Sequence, residues 1–318
     1  MVDPVANAAK QWQSEGWVLV PNLVPASDID AAAEELWGIF PRPEEFHDPE
    51  HPRRKAFLEG RIRNWGPVEG AAEEPAFREE QFDGHETFPF TCPGRLNRLV
   101  VHPRILAFAE AALGQRDIRL YQAGLFAKYA GAANYAQPLH LDRNHSIAPA
   151  RMEAGWWFLE GFLYLNDVDE DNGAPQLLRR GDAPRVDPGR PLAPGEAADT
   201  YGAAVSAPGS RGSFLAYRGD VWHRAVDLQD PAATRFVLIV CYKLAGQDWI
   251  GFDALSKVVD HWLFPKFVAE STPRELEAVG LPGPGHAFWT SEGVDALALK
   301  YPDLDVTPWR EELRGTRT

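Results

Sequence analysis

The stretch Ser213-Phe214-Leu215-Ala216-Tyr217-Arg218-Gly219-Asp220-Val221-Trp222-His223-Arg224-Ala225 leads, through Asp227-Leu228-Gln229-Asp230-Pro231, into Thr234-Arg235-Phe236-Val237-Leu238-Ile239-Val240-Cys241-Tyr242. Apolar, aromatic and β-branched residues crowd both ends and turn formers occupy the middle, so the segment reads as two strands flanking a turn. Folded as a hairpin, it returns Arg235 to the side of His223. Upstream, Gln137-Pro138-Leu139-His140-Leu141-Asp142 supplies a second piece. Strand side chains alternate with period two, which projects His140 and Asp142 to one side and packs Leu139 and Leu141 on the other. A lone His-x-Asp is as well explained by hydrogen bonding within a strand. With His223 added, the set becomes two imidazoles and one carboxylate, which occupy one side of a metal and leave the opposite positions open, as in non-haem Fe(II) centres. Arg235 contributes a planar fork matched to a carboxylate, so the constellation reads as a metal site beside a carboxylate receptor.

Outward from this centre, the chain divides into three zones. Residues 115–245 are short apolar runs punctuated at Asn166-Asp167, Asn172-Gly173, Pro188-Gly189, Pro208-Gly209 and Arg218-Gly219-Asp220. Such punctuation predicts a β sandwich or jelly roll. Before it, Ser27-Asp28-Ile29-Asp30 predicts a capping-box start to a helix through about Phe40, with Ile29, Ala33, Leu36 and Phe40 on one face. His102-Pro103 opens a second helix that Gly114 stops. Residues 41–95, rich in Pro, Gly and charge, read as loops laid over the core. After the β zone, Thr272-Pro273-Arg274-Glu275 is a capping box with Pro at the first helical position, and Gly280 terminates that helix. The expected molecule is one compact domain, mainly β with helical extensions: a helical and loop extension over 1–114, the β core over 115–245 and a helical extension over 246–318.

The chain resembles the phytanoyl-CoA dioxygenase-like family of Fe(II)/2-oxoglutarate-dependent oxygenases between about Tyr121 and Tyr242. The resemblance rests on the His-x-Asp, on Leu165-Asn166-Asp167-Val168-Asp169-Glu170-Asp171-Asn172-Gly173-Ala174-Pro175 after an apolar strand, and on the Gly-Asp-x-x-His-Arg-Ala segment at 219–225. It implies a double-stranded β-helix core of the cupin-like jelly-roll kind. It also implies that His140, Asp142 and His223 bind iron and that Arg235 pairs with the distal carboxylate of 2-oxoglutarate. Alternation in Tyr121-Gln122-Ala123-Gly124-Leu125-Phe126-Ala127-Lys128-Tyr129 sets Gln122 and Lys128 on the face that would line the cosubstrate or substrate chamber. The implied reaction is hydroxylation or desaturation of a small organic molecule, coupled to conversion of 2-oxoglutarate and O2 to succinate and CO2. Departures from the family pattern are Phe126, where several relatives have a polar residue, Ala225, where they have Ser, and Leu178-Arg179-Arg180-Gly181-Asp182 in place of a Pro-Gly-Ser-His. A cupin-type isomerase, hydrolase or ligand-binding protein on another divalent metal stays open, as does a scaffold with a degenerate site.

Composition narrows the partners. Against 32 basic residues stand 46 acidic ones, a formal net charge of −14 without a basic block, which argues against nucleic acid. No stretch approaches the ~18 apolar residues of a membrane span, the first residues carry no signal-peptide pattern, and Cys92 and Cys241 form no disulfide framework. A soluble cytoplasmic enzyme is expected, with no prediction of oligomeric state. For the substrate, the sequence offers Arg63 and Trp65 in a long loop, with Arg61 beside them. His145 just past the ligands and Trp157 before an apolar strand complete the set. Cys241 reads as a buried small hydrophobe. His47, His51, His85, His261 and His286 read as structural, and Asp167 to Asp171 as a solvated turn rather than a Ca²⁺ loop.

Overall fold

The computed structural model describes residues 4–59, 84–90, 94–132, 134–142, 145–146, 154–184, 190–195, 197–251 and 263–315. Its strands are β1 (Trp17–Val20), β2 (His85–Thr87), β3 (Ile118–Tyr129), β4 (Phe158–Tyr164), β5 (Gln176–Leu177), β6 (Val205–Ser206), β7 (Phe214–Arg218), β8 (His223–Arg224) and β9 (Thr234–Leu244). They form a six-stranded sheet, ordered β1-β7-β4-β9-β3-β2, and a three-stranded sheet, ordered β6-β5-β8. Every pairing is antiparallel. Isolated bridges Leu139↔Leu192 and His140↔His223 lengthen the smaller sheet. The core is a jelly roll of two facing antiparallel sheets with helical extensions.

Alternation gives the large sheet two different faces. Its outer face carries Leu125, Leu159, Leu163, Phe214, Phe236, Leu238 and Val240. Helices α1 (Pro4–Glu15), α2 (Ala26–Ile39) and α6 (Pro103–Leu113) cover that face, burying Trp12, Leu36, Ile105 and Phe108 against it. The short helices α3 (Pro43–His47), α4 (Pro52–Glu59) and α5 (Arg95–Leu99) stand between α2 and α6, and α7 (Ala198–Gly202) precedes β6. Helices α8 (Phe264–Glu270), α9 (Pro273–Ala278), α10 (Ser291–Lys300) and α11 (Thr307–Gly315) follow the sheets, and Phe267, Leu276, Leu297 and Trp309 join the same core. The inner face bears Tyr164, Leu215, Tyr217 and Val237, against which Leu177 of the smaller sheet packs. A bulge after Leu120 in β3 inserts Tyr121, so Tyr121 and Gln122 both turn inward.

Four sequence expectations change. The helix start at Ser27 is not a capping box: the N-cap is Pro25, two residues earlier, which has φ −57° and makes no side-chain cap. Residues 41–95 are not all loop, because they include α3, α4 and α5's first residue, and β2 pairs with β3. With β1, the region before the β zone thus supplies two of the six strands of the large sheet. Finally, β7 and β9 are not a hairpin, since β4 lies between them. Both had the strand pattern, but which strands become neighbours depends on pairing that a linear reading does not contain. The capping box at Thr272 stands as expected, with Glu275 N donating to Thr272 Oγ1 at 3.3 Å and Thr272 N to Glu275 Oε2 at 2.6 Å.

Candidate metal centre

His140 and His223 face each other across a pair of reciprocal backbone hydrogen bonds, each amide donating to the other's carbonyl at 3.0 Å. Directly opposed residues project to the same side, and the two imidazoles lie with centroids 4.3 Å apart. Asp142, two residues beyond His140, brings Oδ1 to 3.5 Å from His140 Nε2 and Oδ2 to 3.3 Å from His223 Nε2. The other ring nitrogens are committed to backbone. His140 Nδ1 lies 2.9 Å from Pro138 O and His223 Nδ1 3.0 Å from Val221 O. A carbonyl only accepts, so Nδ1 carries the hydrogen in both rings and the Nε2 lone pairs converge with the carboxylate. The Tyr217 hydroxyl, 3.3 Å from both Asp142 Oδ2 and His223 Nε2, completes the contact.

Electrostatics separates the two imidazoles. Burial, with His223 as neighbour, holds His140 below the usual imidazole range. Burial opposes charge on His223 too, but Asp142 outweighs it and pushes His223 up. Asp142 is itself held well below the usual carboxylate range, because the nearby His223 and His145 and its side-chain contacts with His140 and His223 overcome its burial. Tyr217 keeps its proton, since burial and the Asp142 charge both push the phenol up.

At the other end of the inner face, Arg235 and Lys128 are Cα partners on β9 and β3. Both are buried. One Arg235 Nη donates to Gly173 O, while Nε has no hydrogen-bond partner among the described residues, and no described carboxylate pairs with the guanidinium. Burial therefore pushes its pKa down. Lys128 Nζ donates to Tyr135 O at 2.6 Å and Val226 O at 2.9 Å. Gly173 aims its carbonyl here from a turn at φ +75°, where a Cβ would stand 2.7 Å from Val226 O. The turn is tied by its own side chains, Asn172 N donating to Asp169 Oδ1 at 2.9 Å and Asp169 N to Asn172 Oδ1 at 2.7 Å. The hairpin drawn from the sequence is therefore not what places Arg235: its cross-strand neighbour is Lys128, and Gly173 meets it from the Asn172-Gly173 turn.

Gln122 lies on the same inner face but nearer the triad, with Cys241 Sγ 3.6 Å from its Oε1. His145 is buried, its Nδ1 donating to Glu160 Oε1 at 2.7 Å. Trp157 corrects the expectation that it borders the chamber. It packs edge-on to Trp12 of α1 at 5.8 Å and under the Arg218 guanidinium at 4.9 Å, on the helix-covered side. Trp156 is the half-exposed one and stacks near Trp249. Arg61, Arg63 and Trp65, together with Cys92 and His261, lie outside the described residues. His85, read from the sequence as structural, packs its ring on Phe126 at 4.3 Å, above Gly124, and burial lowers its pKa to about 4. Sequence reasoning missed Tyr217 and Glu160. The legible signal for Glu160 was one acid in the otherwise apolar strand Phe158–Tyr164.

The family model for phytanoyl-CoA dioxygenase (PhyH) matches residues 12–228, more than half of the chain. The chain belongs to the phytanoyl-CoA dioxygenase family. Among solved structures, it is similar in fold to the epimerase SnoN in complex with Fe3+, alpha ketoglutarate and nogalamycin RO. That match has a TM-score of 0.51 and 21% identity over 76% of this chain and 85% of that one. The alpha ketoglutarate dependent carbocyclase SnoK from nogalamycin biosynthesis gives 0.51 and 18% over 75% and 83%. AviO1 from Streptomyces viridochromogenes Tue57 gives 0.50 and 18% over 77% and 97%. No curated protein sequence matches the chain. No helix among the described residues is long and apolar enough to cross a membrane.

Phytanoyl-CoA dioxygenase family members use Fe(II), 2-oxoglutarate and O2, and this chain's residues fit that set. His140, Asp142 and His223 offer ligand atoms that all lie within 4.8 Å of one another. Two imidazoles and a carboxylate suit Fe(II), and the backbone carbonyls behind both rings orient them as ligating histidines require. The buried Arg235, without a carboxylate partner among the described residues, suits an anionic cosubstrate.

Proposed function

We propose that this chain is an Fe(II)- and 2-oxoglutarate-dependent dioxygenase that hydroxylates or desaturates a small organic molecule. His140, Asp142 and His223 hold the iron, and Arg235 receives the distal carboxylate of 2-oxoglutarate. The observation that carries the reading is the Arg235 guanidinium, 5% exposed and without a carboxylate partner among the described residues, on the face that also bears the triad. An isolated buried cation is costly, and a dianionic cosubstrate supplies the missing charge. Lys128, directly across from Arg235, adds the second positive charge that a dianion calls for. SnoN and SnoK, described as alpha ketoglutarate dependent, share this fold and support the reading.

When bound, the iron with 2-oxoglutarate and O2 supplies the oxidising power, released by decarboxylation of the cosubstrate to succinate and CO2. The chain's own part is positional. The Nδ1 contacts to Pro138 and Val221 keep both histidine Nε2 atoms free to ligate. Tyr217, a neutral phenol, donates to Asp142 Oδ2 and so leaves Oδ1 as the freer ligand atom. Phe126, Phe162 and Ile239 share the inner face with Arg235 and would give the chamber an apolar lining that limits water around the reacting centre. Gln122 is a polar group within the same inner face, and His145, Arg63 and Trp65 remain the proposed substrate contacts. The deciding experiment is calorimetry of 2-oxoglutarate on the Mn(II)-loaded protein. Metal-dependent binding, together with succinate formation on Fe(II), is the expected result, and no binding would remove the reading.

A further inference from the structure

Glu160 is the one acid in β4, it is 1% exposed, and it accepts three hydrogen bonds. Tyr121 Oη donates to Oε1 at 2.5 Å, His145 Nδ1 to Oε1 at 2.7 Å and Cys241 Sγ to Oε2 at 2.9 Å. Burial pushes both the Tyr121 phenol and the Cys241 thiol well up, with the Glu160 charge adding to each, so both keep the protons they donate. A carboxylate this deep is tolerable only when its oxygens are engaged in this way. Two of the donors stand on β3 and β9, the strands that frame the inner face. The third comes from the segment just after Asp142.

That third contact links the hub to the metal ligands. His145 N donates to Asp142 O at 3.2 Å, and a His145 nitrogen, a Glu160 oxygen and an Asp142 oxygen all lie within 4.8 Å of one another. On its far side, His145 O accepts from Gly251 N at 2.9 Å, and Ser146 bridges to Ile250. The backbone after Asp142 is thus tied to the 250–251 segment, while the charged contact from His145 to Glu160 ties it through a side chain to the large sheet. The proposed ligand set has no use for Glu160, and a fully buried acid with no role would be cheaper as an apolar residue.

We propose that Glu160 is a positioning residue of the metal centre, acting through His145 to hold Asp142 in its ligating orientation and so setting metal affinity. The inference rests on the assignment of His140, Asp142 and His223 as ligands. The test is a Co(II) titration of the metal-free protein, followed by visible absorption, for wild type, Glu160→Gln, His145→Ala and the double variant. Glu160→Gln keeps the shape but turns an NH2 toward a donor. It is expected to weaken Co(II) roughly ten- to hundredfold, the usual range for the groups behind metal ligands, and to alter the absorption spectrum. Because Glu160 acts through the imidazole, the double variant should bind no more weakly than His145→Ala alone. Cys241→Ser retains a donor and should keep wild-type affinity. Circular dichroism and melting check the fold. If Glu160→Gln does not fold, His145→Ala must by itself reproduce the loss. Wild-type affinity and spectrum in Glu160→Gln, or additive effects in the double variant, would overturn the proposal. So would a second Co(II) equivalent that Glu160→Gln abolishes, since Glu160 would then be a ligand. Failure of the wild-type protein to bind Co(II) would instead overturn the triad assignment itself.

Discussion

Replacing Arg235 by Ala tests the cosubstrate reading at its strongest point. The guanidinium is buried, spends one N–H on Gly173 O and leaves Nε without a partner among the described residues, so it has donors to spare for a two-point contact with a carboxylate. Removing one partner of a charge-assisted pair in so shielded a place costs about 3–5 kcal/mol. At 1.4 kcal/mol per decade that is roughly 150- to 4,000-fold in the Kd for 2-oxoglutarate. Lys128 remains beside the vacated position, so the lower part of that range is expected. Arg235→Lys keeps the charge without the fork and should fall between. The metal-free protein should suffer little, because the substitution also removes a buried cation that burial disfavours. Wild-type protein should gain about 2.7 kcal/mol of stability at a 2-oxoglutarate concentration of about 100 Kd, and the variant almost none. Calorimetry and melting curves on Mn(II)-loaded protein read both quantities. An unchanged Kd for 2-oxoglutarate in Arg235→Ala, with metal affinity intact, would refute the argument that this guanidinium awaits a carboxylate.

Four further outcomes are expected. Alanine at His140, Asp142 or His223 should abolish turnover and strongly weaken Fe(II) binding while the melting temperature of the metal-free protein changes little; a variant with wild-type turnover strikes that residue from the ligand set. Metal affinity should rise with pH and level off above the raised pKa of His223, because Asp142 favours a proton on that ring which metal must displace, whereas burial disfavours one on His140; a Co(II) affinity that is flat or falls between about pH 5.5 and 8 contradicts this. Product formed in excess chloride should carry no chlorine, since Asp142 as a ligand would fill the coordination position a halide needs, and a chlorine isotope pattern by mass spectrometry is the contrary result. Gly173→Ala places a Cβ 2.7 Å from Val226 O at φ +75° and should destabilise the protein by about 1–3 kcal/mol while weakening 2-oxoglutarate binding; full retention of both shows that the turn does not position Arg235.

The triad was legible because its signal is local. His140 and Asp142 are two residues apart on extended chain, where period two decides which side each takes, and His223 sits in a short motif. Glu160, Tyr217 and Cys241 were not legible as site residues, since nothing near them in sequence says what they touch. Cys241 even reads as a plain hydrophobe inside its apolar run, yet its thiol donates to Glu160. Trp157 was misplaced for the related reason that alternation tells which residues share a face but not which face meets helices.

What the sequence by itself determined is therefore the set of elements with short-range causes: the β zone with its turns, the capped helix at Thr272, the His140–Asp142 pair on one extended segment and the acidic composition. Only the tertiary structure decided that β4 separates β7 from β9, that β1 and β2 complete the large sheet, and that His140 stands opposite His223. It also decided that Arg235 is buried beside Lys128 and that two neighbouring strands and the His145 segment converge on Glu160. The physical reason is one of range. Dihedral preferences and side-chain periodicity act over a few residues, whereas strand pairing is chosen by the best joint burial of distant apolar faces, and the charges carried inside by that choice acquire their partners only once it is made.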